Sequence, residues 1–281
     1  MEFELNEFLR TAFGEDLGSG DHTTLACVDE NNTGRAVMET REKGVAAGIE
    51  VAVAAFRFID CNLAIEPLKT DGEWMEKGDR LMVVSGKSRS ILAAERTVLN
   101  IVQRMCGIAT TTKRYADAVK HTRARVLDTR KTTPGLRYLE KMAVRMGGGT
   151  NHRFGLFDMI LIKDNHIDAA GGVKQALSQT REYLKRTGLN LKVEIEVRDF
   201  DELNQVMDVG GADRIMLDNF SVADTQKAVN LIDNRFEIES SGGITLETIA
   251  AYAETGVDFI SVGALTHSVK ALDISLIWED R

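Results

Sequence analysis

The sequence predicts an α/β protein: a parallel α/β barrel preceded by a smaller α+β domain. Two observations predict it. From about Arg125 onward, short apolar strands alternate with longer amphipathic helices, the pattern of parallel βα units. Before that point the order is different, with strands joined through Asp71-Gly72 and Lys77-Gly78-Asp79 turns and followed by one long helix. A chain of 281 residues is long enough for one large barrel or for a barrel with a smaller companion.

Taken in order, residues 3–13 read as a helix with Phe3, Leu5, Phe8, Leu9 and Ala12 on its apolar positions. Gly14, Gly18 and Gly20 then predict irregular chain. Arg35 to Thr40 is strand-like and Ile49 to Ile59 helical, and Leu63 to Leu68 and Arg80 to Val84 read as strands. Ser88 to Met105 carries Ile91, Leu92, Val98, Leu99 and Val102 at helical spacing, with Ser88 or Ser90 as a cap. The barrel strands are Arg125 to Leu127, Met159 to Ile162, Val193 to Val197, Arg214 to Leu217, Phe236 to Glu239 and Phe259 to Val262. Helical patterns at Leu136 to Met146, Val173 to Arg186, Phe200 to Val209, Val222 to Ile232 and Leu246 to Thr255 separate them.

Bulk properties exclude several functions. Lys and Arg number 35 against 43 Asp and Glu, and the net charge of -8 disfavours nucleic acid or an anionic membrane as partner. No segment has the ~18 uninterrupted apolar residues of a membrane span, and Met1 to Leu5 lacks the start of a signal peptide. Cys27, Cys61 and Cys106 are odd in number and widely spaced, which reads as reduced thiols in a cytoplasmic protein.

Asp128, Lys163, Glu196, Asp218, Ser241 and Gly263 stand at or near the C-terminal ends of the strands. Those ends share one face in a barrel, and one edge in an open doubly wound sheet, so function belongs there in either case. Asp128-Thr129-Arg130-Lys131-Thr132 is the richest segment, since Arg130 offers a planar fork and Lys131 a movable charge for an anion. Alone, it is as readily a solvated loop. Asn151-His152-Arg153 and Lys163 add cations that would repel one another without a polyanionic ligand. The alternatives are a surface pair of Arg153 with Asp158 and a buried pair of Lys163 with Glu196 or Asp218. Glu196 and Asp218 could balance lysines or hold Mg²⁺. Ser240-Ser241-Gly242-Gly243, before a helix expected near Thr245, and Gly263 offer backbone N–H groups to a phosphate. Ser85-Gly86-Lys87-Ser88 is not a phosphate loop, because Leu81 occupies the required glycine position.

The order and spacing of Gly20-Asp-His-Thr-Thr24, Glu95-Arg-Thr-Val-Leu-Asn100, Gly107 to Thr110, Asp128 to Gly135, Gly147 to Gly155, Leu161 to Ile167, Met216 to Asn219, Ser240 to Ile244 and Gly263 to Ser268 resemble the quinolinate phosphoribosyltransferase family over nearly the whole chain. Cys106 stands where serine is more usual and Ser240 where alanine is frequent. The resemblance implies an open α/β barrel with fewer than eight strands at residues 109–264, an N-terminal domain at 1–108, and a tail at 265–281 that packs back on it. It implies a homodimer in which Arg96 enters the neighbouring subunit's site. Arg130, His152, Arg153 and Lys163, with that Arg96, would bind quinolinate, and Lys131 and Thr132 would lie with the substrates. Glu196 and Asp218 would hold the ribose hydroxyls or the Mg²⁺ of phosphoribosyl pyrophosphate. Ser241, Gly242, Gly243 and Gly263 would hold its 5-phosphate. Alternatives are a paralogue of molybdenum metabolism, an aldolase forming a Schiff base on Lys163, and a non-catalytic metabolite sensor.

Overall fold

The computed structural model describes residues 4–279. Phe3, where the sequence starts its first helix, lies outside them. The chain forms two compact units. One comprises the residues up to Lys113, Thr132–Gly148, and the chain from Leu265 on; the other comprises Arg114–Lys131 and Gly149–Ala264. A single cut near residue 108 is therefore replaced by two returns to the first unit. The segment Thr132–Gly148, expected in the barrel, groups with the first unit through its helix Arg137–Met146.

The first unit is built on a four-stranded antiparallel sheet ordered Ile274–Trp278, Thr33–Thr40, Arg80–Lys87, Ala64–Pro67. Ala36, Val37 and Met38 are all buried, as a central strand covered on both faces requires. The tail strand docks on Thr33–Thr40 with Ala36 opposite Trp278. Glycine is needed there: a Cβ on Gly34 would lie 2.0 Å from the Trp278 ring. The expected irregular stretch after Gly14 is instead helical, with Leu5–Leu17 followed by His22–Cys27. Burial of Leu9 and Phe13, the latter stacked on Phe58 at 5.8 Å, outweighs the roughly 1 kcal/mol that an internal glycine costs. Asp21 caps the second helix by accepting the Thr24 N–H at 3.0 Å.

The second unit contains the six expected strands, numbered β1 (Arg125–Leu127), β2 (Ile160–Ile162), β3 (Val193–Val197), β4 (Arg214–Asp218), β5 (Glu237–Ser241) and β6 (Phe259–Ser261). All pair in parallel, in the order β1-β6-β5-β4-β3-β2. Consecutive strands are neighbours, and the first pairs with the last, so the sequence is that of a barrel with a seam between β1 and β2. At the seam, Thr150 bridges to Leu127: its N–H donates to the Val126 carbonyl at 2.8 Å, and its carbonyl accepts from Asp128 at 3.2 Å. Helices Phe200–Val209 and Val222–Ile232 begin at Asp199 and Ser221, whose side chains cap the first turns and so fix where β3 and β4 end. The strands are short and mostly buried, hence the near-continuous apolar runs seen in the sequence.

Candidate active site

Asp128 directs the entry of the site loop rather than meeting a ligand. It is fully buried at the end of β1, where its carboxylate accepts the His152 backbone N–H at 2.9 Å and the Asn151 amide at 2.5 Å. The segment Asn151-His152-Arg153 is thereby fixed beside β1, while Arg130 and Lys131 remain exposed just beyond it.

Arg130 acts on Arg153, and Arg153 and Lys163 both act on Glu194. Burial holds the Arg153 guanidinium below its ordinary value, and the charge of Arg130 pushes the same way. An anion between them would relieve both effects. Lys163, the residue after β2, pairs through Nζ with Glu196 Oε2. Of the alternatives weighed for Lys163, the pair with Glu196 is the one formed. Glu196 lies on β3 two residues from Glu194, so both carboxylates project to the same side of the strand.

Asp218 ends β4 and accepts the Asn219 side-chain N–H at 2.7 Å. Asn219 is left-handed, with φ 57°, a conformation that asparagine tolerates better than most residues. Its backbone N–H donates to the Ser241 carbonyl at 2.9 Å. Gly242 must be glycine, because its φ is +99° and a Cβ would stand 2.2 Å from Asn219 Oδ1. Asp218 and the Ser241–Gly243 loop are thus joined through Asn219, a residue with no assigned role in the sequence reading. The helix expected near Thr245 begins at Ile249, after a turn in which the Thr245 N–H donates to Thr248 Oγ1 at 3.0 Å. Gly263 directly precedes the short helix Ala264–His267.

Two expected contacts are placed differently. The His152 side chain is only 6% exposed, and its ring points at Glu194 and Glu239, at 2.9 and 3.5 Å. Its Nε2 thus faces the carboxylates of β3 and β5. Thr132 groups with the first unit, where its hydroxyl accepts from Arg137 Nε at 3.0 Å. Arg96 is in that unit too, exposed on the helix Ser88–Val119 and one turn from exposed Asn100, with no ion pair among the described residues.

Beneath the rim lies a buried group that the sequence reading did not assemble. Glu239 on β5 is fully buried, and Arg214 on β4 bonds it through Nη1 at 3.0 Å while stacking on Phe259 at 3.9 Å. The available signal was a carboxylate inside an apolar strand, in Glu237-Ile-Glu239 as in Glu194-Ile-Glu196. Burial pushes the Glu239 carboxyl up from 4.5 to about 8, with the charge of Glu194 adding to the effect. The folded state therefore binds more protons than the unfolded chain between those values. Stability falls as pH rises from about 4.5 to about 8 and levels off above. Glu239→Gln, neutral at every pH, is expected to flatten the pH dependence of the urea midpoint across that window; an unchanged slope would contradict this.

Comparison with known proteins agrees with this geometry. Residues 21–106 match the family model "Quinolinate phosphoribosyl transferase, N-terminal domain", and residues 108–277 match its C-terminal counterpart. The chain is 45% identical to the chloroplastic nicotinate-nucleotide pyrophosphorylase (carboxylating) of Arabidopsis thaliana, over 98% of this chain and 82% of that one. It is 40% identical to the probable enzyme of that name from Bacillus subtilis, over 97% and 93% of the two chains. Among solved structures, NadC from Streptococcus pyogenes superposes with a TM-score of 0.93 at 38% identity, covering 100% of both chains.

Proposed function

This chain belongs to the quinolinate phosphoribosyltransferase family, and on that premise we propose that it joins quinolinate to phosphoribosyl pyrophosphate, a step of NAD biosynthesis. The products are nicotinate mononucleotide, pyrophosphate and carbon dioxide. The observation that carries the reading is that Arg153 lies near Arg130 and, with Lys163, faces the Glu194–Glu196 carboxylates, on the same barrel that holds a glycine loop beside Asp218. A dianionic ring and a phosphorylated sugar match those two halves.

Arg130 and Arg153 would bind the two carboxylates of quinolinate and hold the ring nitrogen toward the ribose. Lys131 would stabilise charge that develops on departing pyrophosphate. As the glycosidic carbon gains positive character, the carboxylates of Glu196 and Asp218 favour it electrostatically. Backbone N–H groups of Ser241, Gly242, Gly243 and Gly263 would cradle the 5-phosphate. Asp218, half-buried and only partly engaged by Asn219, suits a Mg²⁺ that also meets phosphate oxygens, with Glu196 as its second carboxylate. When bound, the ion supplies charge neutralisation to the pyrophosphate. After alkylation the bond to the adjacent carboxylate breaks to release carbon dioxide, the pyridinium stabilises the electron pair left on that ring carbon, and a proton from solvent then takes the position, so no organic cofactor is required.

The active form we propose is a homodimer with Arg96 reaching the partner's barrel. Exposed Leu156 and Phe157, beside a groove of about 740 Å³ that includes Arg153 and Tyr183, support a covered surface there. Among the described residues no helix is long and apolar enough to cross a membrane. Three free thiols support a reducing, cytoplasmic setting. The Schiff-base reading is disfavoured because Lys163 Nζ is tied to Glu196 rather than offering a lone pair. Incubation with quinolinate, phosphoribosyl pyrophosphate and Mg²⁺ is expected to release carbon dioxide and nicotinate mononucleotide in equal amounts. Folded dimer that yields neither would overturn the assignment.

A further inference from the structure

Glu194, Glu239 and His152 are enclosed below the rim, and the reaction gives them no direct part. The imidazole shows how they connect to it. Arg153 donates its backbone N–H to His152 Nδ1 at 2.7 Å, so Nδ1 presents a lone pair and the ring proton sits on Nε2. Nε2 stands 2.9 Å from Glu194 Oε2, a short contact whose angle falls short of a formed hydrogen bond, and Glu194 also interacts with the neighbouring Glu239 carboxyl. The three side chains bring ligand atoms within 4.8 Å of one another, yet a protonated Nε2 cannot bind a metal. The ring is turned for hydrogen bonding. Glu194 also lies close enough to Arg153 that its charge favours the guanidinium.

We propose that Glu194 is a positioning residue: by accepting the His152 Nε2–H it orients the ring whose Nδ1 holds the Arg153 backbone, and so places the Arg153 guanidinium for a substrate carboxylate. Glu239 stands as a second acceptor 3.5 Å from the same Nε2, and Arg214 holds it by donating from Nη1 at 3.0 Å. The proposal rests on the reading of Arg153 as a quinolinate contact.

Two measurements test it. Ring ¹⁵N shifts of His152 need no substrate, and the neutral Nε2–H tautomer is expected in the wild-type protein; an Nδ1–H tautomer overturns the proposal whatever the activity. In steady-state kinetics, Glu194→Gln keeps an oxygen acceptor and should hold KM for quinolinate within about threefold of wild type. Glu194→Leu removes it and should raise that KM about tenfold or more, with kcat and KM for phosphoribosyl pyrophosphate changing less than about threefold. Equal effects of Gln and Leu, or a fall in kcat at unchanged KM, overturn it. Should the leucine variant not fold, His152→Gln, which keeps an N–H toward Glu194 and loses Nδ1, is expected to raise KM for quinolinate similarly; a wild-type KM overturns the proposal. A wild-type protein that does not turn over quinolinate defeats the functional reading, while the tautomer still tests the ring geometry independently of turnover.

Discussion

Arg130→Ala is expected to lower kcat/KM for quinolinate by about a thousandfold, the loss of roughly 4 kcal/mol from a charge-assisted, two-pronged contact in a site closed by substrate. The side chain is exposed, so its removal leaves no buried partner and the urea midpoint should stay near wild type. Arg130→Lys restores charge without the planar fork and should recover only about tenfold of the loss. The measurement is initial rate against quinolinate at saturating phosphoribosyl pyrophosphate. A variant with wild-type efficiency would exclude Arg130 from the site.

Arg96→Ala and Lys163→Ala are each expected to be nearly inactive alone, yet to regain about a quarter of wild-type activity when mixed in equal amounts and allowed to exchange subunits. The figure follows from dimer symmetry: random pairing makes about half the dimers mixed, and each mixed dimer has one site free of both lesions. If Arg96 acted within its own chain, every site in a mixed dimer would carry a lesion and no activity would return. Because Lys163 pairs with nearly buried Glu196, its removal also leaves a carboxylate without its cation. Thermal unfolding of each variant must therefore accompany the mixing experiment.

The sequence made the barrel legible because its strands are short and apolar and the helices between them carry caps such as Asp199 and Ser221. It revealed the rim for the same reason, since a strand end followed by a polar residue marks a position as well as a chemistry. Lys163 against Glu196 was one of two pairings that strand ends allow. The helix Arg137–Met146 was recognisable, but its membership of the first unit was not, because periodicity shows an apolar face without naming what covers it. The surroundings of the His152 ring were hidden for a related reason. Its position identified a loop at the rim, while its ring orientation depends on acceptors contributed by β3 and β5. Asn219 escaped notice because a left-handed residue has only a weak local signature. The tail strand Ile274–Trp278 was foreseen only through family resemblance, since its partner lies at the other end of the chain.

The seam between β1 and β2 has a further consequence for how the molecule breathes. A closed sheet has no end from which to unzip, but this one has two, and each is a strand of only three residues. Amide protons along those strands would exchange with solvent sooner than those of β4 and β5, which are held from both sides. The loop that carries Arg130 is therefore anchored where the sheet yields first, and a ligand clasping Arg130 and Arg153 would act as a stitch, slowing exchange across the join.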